Sequence, residues 1–411
     1  MRKNFYIPFT HDLCVAAVLK CFRKKWLRRD VLNEINKYAG ITRAELKSRS
    51  EGGNITVKLE IAEAIAFELE NRMERLLSGD DDALELAAVT VEPRPEGASG
   101  KMRDIAALCV FHQLFNHVAY LGLYKLLRAR ILPQQYASIP KKGQTGLAKY
   151  NSRLLRRSRY GIRHVVKTDI KAAYASTKYS VVIDIVRSEM PRAKWLIALL
   201  EALARNSPTG SLIIGGYLDA WLFNLVMSYV MRYAYSITTA RRGKITRSAA
   251  AVTSFMDDVA YFGSRKASVL SVINRVAKLL QSRYGLALKL KESTPLFTAE
   301  EERRRRKLDS PAQRGCPAID MGGYRVHRTY VTIRKMIFLR IRRNFLAAAR
   351  EIREYGYLRE FRARRLVSYN GYFKHTDSRH IRKELNVAEL VAKSKAAIRR
   401  ADRRRNLKKG A

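Results

Sequence analysis

Ser254-Phe255-Met256-Asp257-Asp258-Val259-Ala260-Tyr261-Phe262-Gly263 is the stretch on which the fold turns. The alternating residues Ala249 to Ser254 lead into it and the apolar run ends at Gly263, so the pattern predicts strand, tight turn, strand, with two adjacent carboxylates at the turn. Like charges beside a strand end repel unless a cation sits between them, and the economical cation is Mg²⁺. Asp80-Asp81-Asp82 lacks such flanks and reads as an ordinary solvated turn. A third acid, Asp169, closes the β-branched run from His164 and is followed by a helix-compatible stretch from Ala172. Three carboxylates delivered from strand ends are what two-metal phosphoryl transfer needs: one ion lowers the pKa of an attacking hydroxyl, the other steadies the leaving pyrophosphate.

The chain has 411 residues, enough for two or three packed units. Its 80 Lys and Arg against 37 Asp and Glu give a formal charge of +43, interleaved with Tyr and Phe, and the matching polyanion is nucleic acid. Cys14, Cys21, Cys109 and Cys316 form no Cys-x-x-Cys pair and have no His at zinc-ligand spacing, which predicts reduced thiols and a cytoplasmic setting. The first residues carry no long apolar run of a secretory signal. Ser211 to Ile237 is long and apolar, yet Asp219, Asn224 and Arg232 are costly at bilayer depth; it reads as a buried core helix entered through Gly215-Gly216, with no membrane partner.

Helical periodicity marks Asp12 to Leu27 and Asn54 to Leu77, and residues 1–92 are expected to be helical. Pro93 to Gly100 is a loop or hairpin tip, after which helix is expected over 101–132, with His112 and His117 as core or surface histidines. Tyr136 to Tyr150 reads as a loop whose lysines and amides could hold phosphates. An α+β pattern follows over 161–263, then a helix from Ala267 to Tyr284, a strand over Leu286 to Leu290, a charged run from Glu301 to Lys307, and a hairpin over Ile319 to Arg334. Arginine-dense helices lead to a basic tail, Lys393 to Lys409, expected to be a mobile nucleic-acid-binding arm.

In this order, from about residue 100 to about residue 380, the chain resembles a bacterial reverse transcriptase. Asp169 with Tyr174 is similar to that family's motif A, and Phe255-Met256-Asp257-Asp258 to motif C; Gly100-Lys101-Met102-Arg103-Asp104-Ile105 resembles the triphosphate-clamping fingers segment. Ile214-Gly215-Gly216-Tyr217-Leu218 with Asn224 resembles motif B, Tyr284 to Lys291 motif D, Ile319 to Arg325 the primer-grip hairpin, and Ser368 to His375 a thumb segment.

The resemblance implies a right-hand α+β fold: a helical region at 1–92, fingers at 93–160, palm at 161–318, primer grip at 319–335, and a helical thumb and tail at 336–411. It implies catalytic, Mg²⁺-holding Asp169, Asp257 and Asp258, with the Ile170 backbone carbonyl as a further ligand of the two ions. Lys101, Arg103, Ala173, Tyr174, Ile214 and Gly215 would bind the nucleotide, Tyr174 excluding a 2′-hydroxyl. Lys289 or Lys291 would protonate pyrophosphate; strand alternation puts both on one face and does not choose between them. Met321, Gly322, Gly323 and Tyr324 would grip the primer. Motif B departs from the family, with Asp219-Ala220 where Ser-Gln is common, so template use, priming or nucleotide preference could be unusual.

The activity implied is RNA-directed DNA polymerisation: RNA template in, deoxynucleoside triphosphates consumed, DNA out. No nuclease pattern or extra DNA-binding module follows, and retron thumb signatures are missing, so the chain is most similar to stand-alone, defence-associated members that work with a structured non-coding RNA against phage. The competing readings are an untemplated or protein-primed terminal transferase, which Asp219-Ala220 keeps open, and a polymerase-like RNA-binding scaffold, against which the intact acids argue.

Overall fold

The computed structural model describes residues 4–51, 54–95, 102–157, 161–308 and 315–410, without the side chains of 241, 291–292 and 406–410. The chain begins with α1 (His11–Phe22), α2 (Arg29–Ala39), α3 (Arg43–Arg49) and α4 (Thr56–Leu77). Thr10 and Thr42 cap α1 and α3 by accepting amide hydrogens of the first turn. The expected helix to Leu27 stops at Phe22, and Lys24 turns the chain with φ +66°. Arg72 of α4 is 3% exposed and joins this unit: it donates to Glu68 at 2.6 Å, the Leu84 carbonyl at 2.8 Å and the Tyr38 hydroxyl at 2.9 Å.

Thr90–Pro95 and Met102–Ala107 agree with a hairpin tip between them and correct the expectation of helix on either side. They form a hairpin of β1 (Thr90–Pro95) and β2 (Met102–Ala107), while 96–101 lie outside the described residues. The Ala106 N–H also bonds the Ile214 carbonyl at 2.7 Å, so this strand is set by a distant partner that local periodicity cannot reveal. Helix resumes only with α5 (Val110–Arg130). The expected loop over Tyr136 to Tyr150 is half helix, since α6 spans Gln144–Arg156. Lys142 is not free to hold phosphate, because its Nζ donates to the carbonyls of Pro133 and Gln135, both at 2.9 Å.

β3 (His164–Ile170) leads into α7 (Ala173–Ser176), α8 (Tyr179–Glu189), α9 (Lys194–Asn206) and α10 (Tyr217–Ser236). α10 is the buried core helix expected, with Asp219 and Asn224 inside; among the described residues no helix is long and apolar enough to cross a membrane. An exposed hairpin, β4 (Thr238–Arg241) and β5 (Lys244–Arg247), follows without any apolar alternation to announce it. Next come β6 (Ala251–Phe255), β7 (Asp258–Gly263), α11 (Lys266–Tyr284), β8 (Leu288–Pro295) and α12 (Ala299–Arg306). The charged run is therefore a helix, and its Glu302 is buried, accepting the backbone N–H groups of Arg328 and Thr329 at 2.8 Å.

The expected hairpin after Ile319 has three strands, β9 (Ile319–Met321), β10 (Tyr324–Val326) and β11 (Val331–Ile333). Then α13 (Lys335–Tyr355), α14 (Glu360–Phe373), α15 (Arg379–Glu384) and α16 (Val387–Gly410) close the chain. The tail is thus no loose arm. Within it Ser394 is buried and Ala397 and Ile398 pack against the core that holds Ala363 and Leu366 of α14, so the stretch up to Arg405 is part of a packed helix.

The central sheet has the order β6-β7-β3-β8, antiparallel throughout. Side chains alternate across it. Val166, Ile170, Val259 and Tyr261 face the large helical core, while Val165, Ala260 and Phe262 face a second core built with α6 and β9–β11. The architecture is mixed α+β, as expected.

Candidate active site

Parity on the two central strands assembles the acids. Asp169 lies two strand positions beyond Lys167 and opposite Asp258 in register, so all three share the face of Val165, Ala260 and Phe262. Asp257 sits in the two-residue turn between Phe255 and Asp258, and its carbonyl accepts the Ile170 N–H at 3.3 Å. Met256 takes φ +54° there, a left-handed conformation costing a β-carbon-bearing residue about 1–2 kcal/mol, of a kind that collects at functional turns. Burial, then the charges of Asp169 and Asp258, push the Asp257 carboxyl up to about 6, and it lies within hydrogen-bonding reach of Asp169.

Two lysines flank this cluster. The Lys167 ammonium is 3.7 Å from Asp258 Oδ1 and also donates to the Asp320 carbonyl of β9, so it joins the acid cluster to the small sheet. It was visible in the sequence only as an alternation partner of Asp169, the signal that could have found it. On the other flank, Lys289 of β8 is exposed and lies opposite Asp169 in strand register. Lys291 falls where the β3–β8 register shifts, opposite the break between Val166 and Thr168. Register thereby puts Lys289 opposite Asp169, a placement alternation alone left open.

Tyr174 is where distant segments meet. Its ring stacks on Phe223 of α10 at 5.5 Å and its hydroxyl donates to Met256 Sδ at 3.7 Å. Burial, then the charges of Asp219 and Asp257, raise its hydroxyl pKa, while Arg103 of β2 pulls it down. Arg103 is thus in electrostatic reach of the Tyr174 hydroxyl, whereas Lys101 lies outside the described residues. Ala173, just before Tyr174, is buried and offers little surface to a nucleotide.

Ile214 and Gly215 form the loop that receives β2. A β-carbon at Gly215, which has φ +116°, would lie 2.8 Å from the Ala106 carbonyl oxygen. The departure Asp219 has a definite task in this loop. Its Oδ1 accepts the Ile213 N–H at 2.9 Å and the Tyr179 hydroxyl at 3.1 Å. Burial pushes its carboxyl up to about 6, against the pull of those two donors. Asn224, one turn beyond Ala220, donates to the Ala137 carbonyl at 3.1 Å, and the adjoining Gln134–Tyr136 stretch covers the edge of β6 through Ser254.

Gly216 leaves room for Asp219. A β-carbon there would lie 1.8 Å from Asp219 Oδ2, so Gly216→Ala must displace a buried carboxylate whose other oxygen accepts both hydrogen bonds. The expected cost is about 2 kcal/mol. In a double-mutant cycle followed by chemical denaturation, Asp219→Ala should absorb most of that cost; strict additivity would show that the clash is not what holds this position.

The β9–β10 connection is the two-residue turn Gly322-Gly323, with φ +59° and +82°. The side chains of Met321 and Tyr324 are 2% exposed, and Tyr324 bonds the Thr145 hydroxyl at 3.2 Å. Met321 and Tyr324 thus hold the hairpin to α6, which leaves the Gly322-Gly323 turn and the backbone as its accessible part. His112 and His117 are core histidines held near pKa 4 chiefly by burial. Cys14 and Cys21 are buried free thiols, pushed up by burial to about 12 and about 11.

Among the described residues no group of three or more His, Cys, Asp or Glu forms a ready metal cage. The acids fit Mg²⁺ in another way, because that ion is commonly held by one or two carboxylates with water and phosphate oxygens completing its shell. The mutual repulsion at Asp257 is the charge excess a cation would relieve. Comparison with protein-family models and with curated proteins finds no match to this chain.

Proposed function

We propose that the chain is an RNA-directed DNA polymerase of the right-hand type. The central sheet would be its palm, the β1–β2 hairpin part of its fingers, and α13–α16 its thumb. The observation that carries this reading is the cross-strand pairing of Asp169 with Asp258 beside a strained turn presenting Asp257. Two Mg²⁺ bound there would lower the pKa of a primer hydroxyl and neutralise the departing pyrophosphate. Tyr174 would pack under the incoming sugar, Arg103 would face the triphosphate, and Lys289 would supply a proton to pyrophosphate from the strand beside Asp169. Lys167 would hold Asp258 and the β9 backbone in fixed relation, so that primer and acids stay aligned.

The RNA template and an associated structured non-coding RNA rest on the sequence resemblance and the +43 charge. The anti-phage role rests on the resemblance alone. The test is primer extension by the purified chain on a heteropolymeric RNA with a DNA primer, Mg²⁺ and the four deoxynucleotides, followed by sequencing. DNA complementary to the template is expected. Products unrelated to the template would make the chain a terminal transferase, and no incorporation despite tight RNA binding would make it a scaffold.

A further inference from the structure

α13 ends at Gly356, whose N–H returns to the Ile352 carbonyl, and the chain turns back through Tyr357, Leu358 and Arg359 into α14. Glu351, 6% exposed, clamps this turn: its carboxylate accepts the Arg359 backbone N–H at 2.6 Å and Arg362 Nε at 2.5 Å. The fixed turn displays aromatic rings to solvent, with Tyr355 55%, Tyr357 56% and Phe361 68% exposed. Tyr355 and Tyr357 lie 6.3 Å apart, and the Arg365 guanidinium sits 4.2 Å from the Phe361 centroid. They are not misplaced core residues, since Leu358 and Leu366 of the same segment already fill the core beneath.

Between this turn and α16 runs a groove of about 800 Å³ with Arg359, Lys393, Arg400 and Arg404 on its walls and Ala396 and Ala397 among its lining. Its one carboxylate, Glu360, is engaged by Arg364 and Arg405. Of the three rings Tyr357 lies on the groove wall among these cations, and Phe361 follows the lining residue Glu360; an exposed ring beside a basic groove matches unpaired bases on a phosphate backbone, whereas a duplex offers phosphates without free base faces. α13 is 21 residues long, so its far end lies about 30 Å from β11 and the small sheet next to the acids.

We infer that this groove binds single-stranded RNA, as a site separate from the acid cluster. The choice of RNA rests on the polymerase reading, in which new DNA leaves paired while the RNA keeps unpaired segments. The probe is a fluorescent oligouridine of about 12 nucleotides, a length within the usual reach of such sites, carrying 4-thiouridine for crosslinking to the full chain. Crosslinks are expected within Tyr355–Phe361. The double variant Tyr357→Ala, Phe361→Ala should bind this probe roughly tenfold to a hundredfold more weakly while holding blunt RNA duplex and extending a short primed template as before.

Unchanged affinity, or crosslinks confined elsewhere, overturns the groove and leaves the polymerase reading standing. Equal or tighter use of the groove by an oligodeoxyuridine overturns the choice of RNA. Displacement of the probe by polyglutamate as readily as by unlabelled oligouridine reassigns the groove to an acidic protein partner. Loss of groove binding on substitution, in a chain that incorporates no nucleotide, upholds the groove and overturns the polymerase.

Discussion

Asp257→Asn is expected to lower nucleotide incorporation by at least roughly a thousandfold, and the same substitution should make the metal-free protein more stable. Both effects come from one geometry. Asp257 is held in a strained turn against Asp169 and Asp258, and a neutral amide of the same shape removes the repulsion along with the charge that would bind a cation. The pH dependence gives the sign. The folded carboxyl titrates near 6, above its ordinary value of 3.8, so the folded state holds this proton more tightly than the unfolded chain.

The contribution of Asp257 to stability therefore falls as pH rises from about 4 to about 6 and is level above that. Thermal melts without metal should show this slope in the wild type and a weaker one in Asp257→Asn. Mg²⁺ should raise the melting temperature of the wild type more than that of the variant. A variant that keeps full incorporation, or melts earlier than the wild type without metal, would remove Asp257 from the site. The cellular part of the proposal is separable: phage should plate better on cells carrying Asp257→Ala and Asp258→Ala at the native locus than on cells with the native sequence.

Tyr174→Ala is expected to erode discrimination against ribonucleotides by roughly ten- to a hundredfold while lowering deoxynucleotide use far less. The ring is held from two sides, by Phe223 at 5.5 Å and by the Met256 sulfur at 3.7 Å, so it forms a rigid wall at the acid turn. Removing it opens space where a 2′-hydroxyl would sit. Tyr174→Phe separates wall from hydroxyl: it should retain discrimination, because the hydroxyl's partner is Met256. Single-nucleotide kinetics with matched ribo- and deoxynucleotides provide the measurement, and an unchanged ratio in Tyr174→Ala would return the residue to a packing role.

Local patterns made the acid-bearing elements legible. Alternation over Ala249 to Ser254 and the apolar run Val259 to Gly263 required a hairpin with Asp257 and Asp258 at its tip, and the β-branched run from His164 delivered Asp169 from a strand end. The buried helix at Tyr217–Ser236 was legible because its polar residues were too few for solvent and too costly for lipid. Elements whose signal is not local were misread. Met102–Ala107 looked helical because its strand partners are Thr90–Pro95 and the distant Ile214. The basic tail looked mobile because charge hid the thin apolar stripe of Ala397 and Ile398 within it.

The sequence by itself determined which residues carry charge at strand ends, since a period of two and a turn signal depend only on neighbouring positions. Only the tertiary structure decided their partners. Register, a long-range property of paired strands, set Asp169 opposite both Asp258 and Lys289 and moved Lys291 to a bulge. Packing between separate elements placed Lys167 against Asp258 and Asp320, and Asp219 under the Ile213–Gly216 loop, because a buried charge settles where donors from several segments converge.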